Sequence, residues 1–274
     1  MVQVTTFASE AAAETWRRLA ATRSAYMAGT TARLLDLAGV GPGFRVLSLG
    51  VGTGGEAFDA ARRVGADGHV VATDLSAAMI AGAQAEAAQA GLTNVEFRVM
   101  DAQHLDFPDA SFDAVTSRNV LMFMPDLKQA LIGARRVLRA KGRIGSSVWS
   151  SGARNPRISG PMAATKSLGV DVPASATYRI ALRLSTPSVV RMAFHSAGFV
   201  DISVQRVPLV ADYDSLEHAV ETALEQPPTL ELIALLGPDG VSRMRTALMR
   251  RWARYEDSTG VHLPGEQLVV GASA

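Results

Sequence analysis

Residues 46–55 read VLSLGVGTGG. Val46, Leu47 and Leu49 make a short apolar run that Gly50, Gly52, Gly54 and Gly55 then break, the pattern of a buried strand entering a tight turn. Glycine carries no Cβ, so such a turn lets backbone approach a bound molecule closely, and a helix starting just after it aims free N–H groups at the same place. Two spacings coexist. Gly50, Gly52 and Gly55 fit the dinucleotide pattern G-x-G-x-x-G, whereas Gly50, Gly52 and Gly54 fit G-x-G-x-G. The glycines alone also suit a turn that only brings the next helix against a sheet.

Around this stretch β-type runs alternate with helical patterns. The runs are RVLSLG (45–50), HVVATD (69–74), VEFRVMD (95–101), FDAVTS (112–117) and GRIGSSVW (142–149); between them lie EAFDAARRV (56–64), AAMIAGAQAEAAQA (77–90) and LKQALIGARRVLRA (127–140). Strands separated by helices of this length predict βαβ units and a mainly parallel sheet. In 127–140 the apolar residues Leu127, Leu131, Ala134 and Leu138 form one stripe that can lie on that sheet. Before the first strand, residues 10–38 are helix-rich around Trp16, Tyr26, Leu34 and Leu35, and GVGPG (39–43) ends them. The pattern loosens at 151–186. It resumes with a helix near 187–197, a strand near 200–207, helices near 215–225 and 240–255 broken by EQPPT and GPDG, and a final strand EQLVVGAS. The reading is one domain: an N-terminal helical cap (1–38), a ligand-binding core (39–150), cap insertions (151–186 and 212–262), and a return to the core at 187–211 and 263–274.

Composition removes several classes of function. Lys and Arg total 27 against 26 Asp and Glu, a net charge of +1, with no long basic block, so nucleic-acid binding has no electrostatic footprint. The absence of cysteine excludes disulfides, thiolate nucleophiles and thiolate-ligated metals, and the five histidines show no ligand spacing. No metal is expected. No apolar run approaches the roughly 18 residues of a membrane helix, and the acid-bearing N-terminal residues do not read as a secretory signal. A cytoplasmic enzyme is the expectation.

Strand ends supply the second landmark. Asp74 closes the second strand, 24 residues after Gly50, where a carboxylate can accept both hydroxyls of a ribose; Asp101 closes the third, and Arg118 and Asn119 leave the fourth. In open α/β sheets ligands bind outside these carboxyl ends. With VLSLGVGTG, DLSAAM, DAQHLDFPDASFD and RRVLRAKGRI in this order, residues 43–148 resemble a class I S-adenosylmethionine-dependent methyltransferase of the small-molecule group that includes quinone-biosynthesis C-methyltransferases and natural-product tailoring enzymes. The resemblance implies a Rossmann-like sheet of seven strands, helices on both faces, and an antiparallel C-terminal strand. It favours S-adenosylmethionine over a nicotinamide. It also implies that Gly50, Gly52 and Gly54 lie beside the cofactor's amino-acid part, Asp74 on the ribose, Leu75 and Met79 near the adenine, Asp101 on the adenine amino group, Ala102 and Gln103 along its edge, and Asn119 on the cofactor side of the crevice. Met79 equally suits a core position under helix 77–90. Ser48 is the departure, because the group usually carries an acid there; Asp101 or an acid of the N-terminal helix is a candidate replacement.

Methyl transfer from a sulfonium is an in-line displacement that needs chiefly proximity and alignment. Related enzymes often place a histidine after the fourth strand, but here the segment is SRNVLMFMPD. Met122 and Phe123, with Trp16 and Tyr26, are candidates for an apolar acceptor wall. His104 is the nearest candidate base, and Arg118 a second catalytic candidate. The expected acceptor is a small, hydrophobic, aromatic or quinone- or polyketide-like compound methylated on O or C. Preference for Arg over Lys, with abundant Ala and Gly, associates the chain with a GC-rich bacterium and secondary metabolism. A non-catalytic member of the fold and a cofactor-bound cyclase or isomerase are the alternatives, and a homodimer is left open.

Overall fold

The computed structural model describes residues 10–274, so the first nine residues of the 1–38 segment lie outside the described residues. The helix-rich start forms α1 (Glu10–Arg18) and α2 (Ala20–Leu37). Strands β1 (Arg45–Leu49), β2 (His69–Asp74), β3 (Val95–Val99), β4 (Phe112–Arg118) and β5 (Leu138–Trp149) follow, separated by α3 (Gly55–Val64), α4 (Ala77–Gln89) and α5 (Leu127–Val137). Ser76 and Asp126 cap α4 and α5 by accepting from the backbone N–H of Met79 and Gln129, satisfying donors a helix start leaves open. Later come β6 (Val200–Tyr213), the two-residue β7 (Glu256–Asp257) and β8 (Gly260–Ser273).

The sheet order is β3-β2-β1-β4-β5-β8-β6, with β7 attached to β8. β1 pairs in parallel with β2 and β4, β2 with β3, and β4 with β5; β8 is antiparallel to β5 and β6. The mainly parallel sheet with an antiparallel C-terminal strand is thus what forms, and the order reverses between β1 and β4. Side chains alternate across it as a strand requires. Leu47, Val71, Val115 and Val270 enter one apolar layer with Leu131 and Ala134 of α5. Val46, Val70, Ala114 and Val269 enter the other with Leu34 and Leu35 of α2 and Ala57 and Ala60 of α3. The second half of α2 is therefore a sheet-covering helix.

Three local expectations change. Leu138, expected on the helix of 127–140, already belongs to β5, because it pairs with Phe112 across a bulge and extends the ladder; the buried stripe of α5 ends on Val137. Residues 151–186 contain α6 (Pro156–Ser167) and α7 (Thr177–Ala181), and the break EQPPT opens α10 (Pro227–Ala234). Proline at the first helical positions lacks a donor that would be unpaired anyway and has its φ preset, so these prolines start helices rather than end them. α8 (Pro187–Ser196) starts the same way.

A second apolar core lies beyond the sheet. Leu216 and Val220 of α9 (Leu216–Leu224), Leu232 of α10, and Met244, Leu248 and Trp252 of α11 (Gly240–Trp252) enclose it with Ala211, Val261 and Leu263. β6 and β8 have 14 residues each against five to seven in β1–β4, so their paired far ends project past the sheet and carry this helical cap. Among the described residues no helix is long and apolar enough to cross a membrane.

α2 reaches the sheet where the strands lack side chains. A Cβ on Gly145 of β5 would meet the Leu34 carbonyl and, at 2.8 Å, the Ala38 methyl. Gly145→Ala should lower the free energy of unfolding by about 1–3 kcal/mol, the usual range for overpacking. Gly41→Ala, with nothing closer than 3.8 Å, should leave it nearly unchanged. Urea denaturation of the two variants checks this, and equal midpoints would contradict the packing described.

Candidate active site

The glycine turn leaves β1 at the point where the sheet order reverses. Gly50, Gly52 and Gly54 have φ of 66°, 52° and 91°, the left-handed region that side chains disfavour. Their surroundings differ. A Cβ on Gly50 would meet Val120 at 2.5 Å and one on Gly54 would enter the Phe58 ring, whereas one on Gly52 would have nothing within 4 Å. Packing fixes the outer two; the open face of the turn is at Gly52.

Asp74 stands beside it. Gly52 N donates to its Oδ2 and Ser76 N to its Oδ1, each at 2.9 Å. Burial raises the Asp74 carboxyl above the usual range, opposed by the backbone N–H groups of Ser76, Gly52 and Leu75. An ionised carboxylate has about four lone-pair sites, so acceptor capacity remains beyond these backbone donors. Leu75 is 68% exposed, an apolar surface at the mouth of the crevice. Met79 is buried against Ala13 and Trp16. Asp101 accepts from Gln103 N at 2.9 Å, from Gln103 Nε2 at 3.2 Å and lies 3.2 Å from His104 Nδ1; burial raises its pKa, but these hydrogen bonds outweigh that and leave it lowered. Ala102 turns its methyl into the core, and the Gln103 carbonyl accepts from Asp126 N. Open space at Gly52, a carboxylate with spare acceptors at Asp74 and an apolar face at Leu75 fit an adenosine with an attached amino acid.

Ser48 is fully buried and donates to Glu56 Oε2 at 2.5 Å. Glu56, in the first turn of α3, is itself only 3% exposed. Burial raises its carboxyl, against the hydroxyls of Ser48 and Thr116 and the guanidinium of Arg118. A carboxylate thus reaches position 48 from α3. The visible signal was an acid one residue beyond the glycine cluster, in GTGGEAF.

Arg118 donates to Thr31 Oγ1 at 2.8 Å and lies beside Gly55, where a Cβ would come within 3.0 Å of it. It does not line the cavity found under the cap. That cavity, with about 900 Å³ of empty space partly open to solvent, is bordered by Trp16, Tyr26, Asn119 and Phe123, with Arg23 and Arg157 among the other walls. Asn119 accepts from Gln267 Nε2 at 3.0 Å. Met122 is not there: it is fully buried in the sheet core, because the 3-10 turn of Leu121–Phe123 points it inward and leaves Phe123 outward. His104 is 74% exposed and is likewise absent from the cavity wall. Arg23 and Arg157, missed in the sequence, sit in segments with no motif around them.

The comparisons agree with this geometry. A family described as a methyltransferase domain matches residues 41–168. The nocamycin O-methyltransferase of Saccharothrix syringae is 34% identical over 179 residues, 62% of this chain and 64% of that protein. The aklanonic acid methyltransferase of Streptomyces sp. strain C5 is 40% identical over 112 residues, 41% of this chain and 51% of that one. The chain thus spans under two thirds of the length of these relatives. In fold, the YcgJ protein of a Bacillus superposes with a TM-score of 0.61 at 17% identity, covering 89% of this chain and 97% of its own. The glycine turn and its Asp74 partner lie within the matched residues, and this part of the chain is similar to the class I S-adenosylmethionine-dependent methyltransferases.

Proposed function

We propose that the protein transfers the methyl group of S-adenosylmethionine to an O or C atom of a small, hydrophobic, ring-bearing acceptor held in the cavity under the cap. One observation carries this reading: a single segment serves both sites. Val120 packs on Gly50 of the glycine turn, while its neighbour Asn119 and nearby Phe123 border the cavity. The relatives named for nocamycin and aklanonic acid support a natural-product acceptor. In this reading residues 1–38, 151–186 and 212–262 form the acceptor side, over a cofactor-binding core of 39–150, 187–211 and 263–274.

When bound, the cofactor supplies an electrophilic methyl on a sulfonium. The chain's residues hold and shield. Asp74 accepts the ribose hydroxyls, Asp101 and Gln103 border the adenine with Leu75 over it, and Glu56, through Ser48, sets a negative charge near the ammonium end. Trp16, Tyr26, Phe123 and Trp149 exclude water from the acceptor. Among the described residues no histidine, aspartate or glutamate borders the cavity, so in this reading catalysis rests on orientation.

Calorimetry with S-adenosylhomocysteine should give one site per chain, and Asp74→Ala should weaken it at least tenfold, about 1.4 kcal/mol, while also loosening the turn it braces. Binding of NADH with none of the sulfur compound would overturn the assignment. Transfer of labelled methyl to an aromatic acceptor tests the activity itself. His104→Ala should keep the single-turnover rate within about tenfold, short of the 10²–10⁴ loss of a general base; a thousandfold fall with cofactor affinity intact would make His104 the base.

Glu56 gives a pH test. A carboxyl whose folded pKa is raised contributes stability that is present in full below its unfolded value, about 4.3, and lost as pH rises through the folded value. Glu56→Gln abolishes that loss. Relative to the parent, the apo variant should therefore gain melting temperature between pH 4 and pH 8, and at pH 8 bind S-adenosylhomocysteine more weakly. An unchanged difference in melting temperature across that range would show that Glu56 is not the buried, titrating group.

A further inference from the structure

All the charge bordering the cavity has one sign. Arg23 of α2 and Arg157 of α6 line it, and no acid does. Several arginines elsewhere find carboxylates, Arg63 with Asp36, Arg136 with Asp109, Arg206 with Glu266 and Arg245 with Glu221, and others, such as Arg179 and Arg183, donate to backbone carbonyls. Among the described residues Arg23 and Arg157 meet none within ion-pair distance, and the nine residues outside them contain no Asp or Glu. Both guanidiniums lie instead on aromatic rings, Arg23 4.1 Å from the Trp16 centroid and Arg157 4.8 Å from that of Tyr26.

Burial, then repulsion from Arg118 and Arg157, pushes Arg23 down to about 9. For Arg157 burial acts in the same direction, but the oxygens of Tyr213, Tyr26 and Tyr178 outweigh it and hold the group charged. Both guanidiniums are half-buried, and although Arg157 has the Tyr26 hydroxyl beside it, neither has a carboxylate to balance its charge, so two cations facing one space repel each other. An anion in that space relieves that repulsion. A planar carboxylate matches the parallel donors of a guanidinium, and burial keeps Tyr26 and Tyr178 protonated, so their hydroxyls remain hydrogen-bond donors. Ile158, Trp149 and Trp252 offer apolar surface for an attached ring.

We propose that Arg157, assisted by Arg23, binds a carboxylate on the acceptor, so that the protein selects acidic ring compounds over neutral ones. The proposal rests on the cavity being the acceptor site. Arg157 is the anchor because Arg23 is coupled both to it and to Arg118, which lies at the glycine turn; Arg23 stands between the two sites and Arg157 on the far one.

The test uses the full chain saturated with S-adenosylhomocysteine and three acid–amide pairs: benzoate, 2-naphthoate and anthraquinone-2-carboxylate, each against its primary amide. Trp16, Trp149 and Trp252 border the cavity, so tryptophan fluorescence reads binding. At least one acid should bind ten times or more tighter than its amide. Arg157→Gln should abolish that ratio, Arg157→Lys should restore part of it, and neither should change S-adenosylhomocysteine affinity more than threefold. Equal binding of acids and amides by the parent, failure of every acid to bind, or an unchanged ratio in Arg157→Gln overturns the proposal. A tenfold loss of S-adenosylhomocysteine affinity in Arg157→Gln also overturns it, by assigning the arginine to the cofactor's own carboxylate. If the parent does not bind S-adenosylhomocysteine at all, the methyltransferase reading fails instead, and the acid–amide ratio on the free protein still decides the arginine site.

Discussion

The Asp74 carboxylate, shared between Gly52 N and Ser76 N, is the interaction on which the site depends. It ties together two turns that leave neighbouring parallel strands, one entering α3 and the other α4. With Val51 N donating to the Thr73 carbonyl at 2.9 Å, it holds the glycine turn against the end of β2, so that the open space before Gly52 and the spare lone pairs of Asp74 face the same crevice. A carboxylate bound only to ligand would be free to swing away. One braced by two backbone donors is preorganised, and its remaining acceptor capacity has a fixed direction.

The glycine turn and the carboxylate beside it were legible because they lie at strand ends. A parallel strand buried on both faces writes a continuous apolar run, and the polar residue that ends the run is by geometry at the crevice. Gly50 and Asp74 each follow such a run, whereas Asp101 follows the partly exposed edge strand β3, which Glu96 and Arg98 interrupt. Glu56 escaped because the residue type expected at one strand position is supplied from the next helix, a substitution in space that linear spacing does not encode. Met122 was misplaced for a related reason: a 3-10 turn sends adjacent residues to opposite sides, and nothing in LMF says which one faces the core.

The acceptor half is a different problem. Its walls come from α2, the β4–α5 connection, β5, α6, α7, β6, and the cap helices, and no two of them share a local pattern. Proline starts α6 and α10 and disguises them as breaks, whereas α8, which starts the same way, was legible from its helical run. The long antiparallel pair β6–β8 determines where the cap sits, yet its length is visible only as a run of alternating residues passing through what reads as an insertion boundary near 211–213 and 260–263. Tertiary juxtaposition, rather than propensity, places Arg157 near Tyr26 and Tyr213.

This separation has a mechanical consequence. The cap has its own apolar core around Leu232, Leu248 and Trp252, distinct from the two layers that hold the sheet, and the two halves meet at a cavity wall carrying aromatic and cationic side chains. Changes in that wall alter which acceptor is held without touching the hydrogen bonds of the glycine turn. The reverse does not hold. Val120 rests on Gly50 while Asn119 and Phe123 border the acceptor, so a displacement of the turn moves the acceptor wall with it. In the proposed transfer, linking the two sites through one short segment would serve the alignment of donor and acceptor atoms, which is the main demand of an in-line displacement.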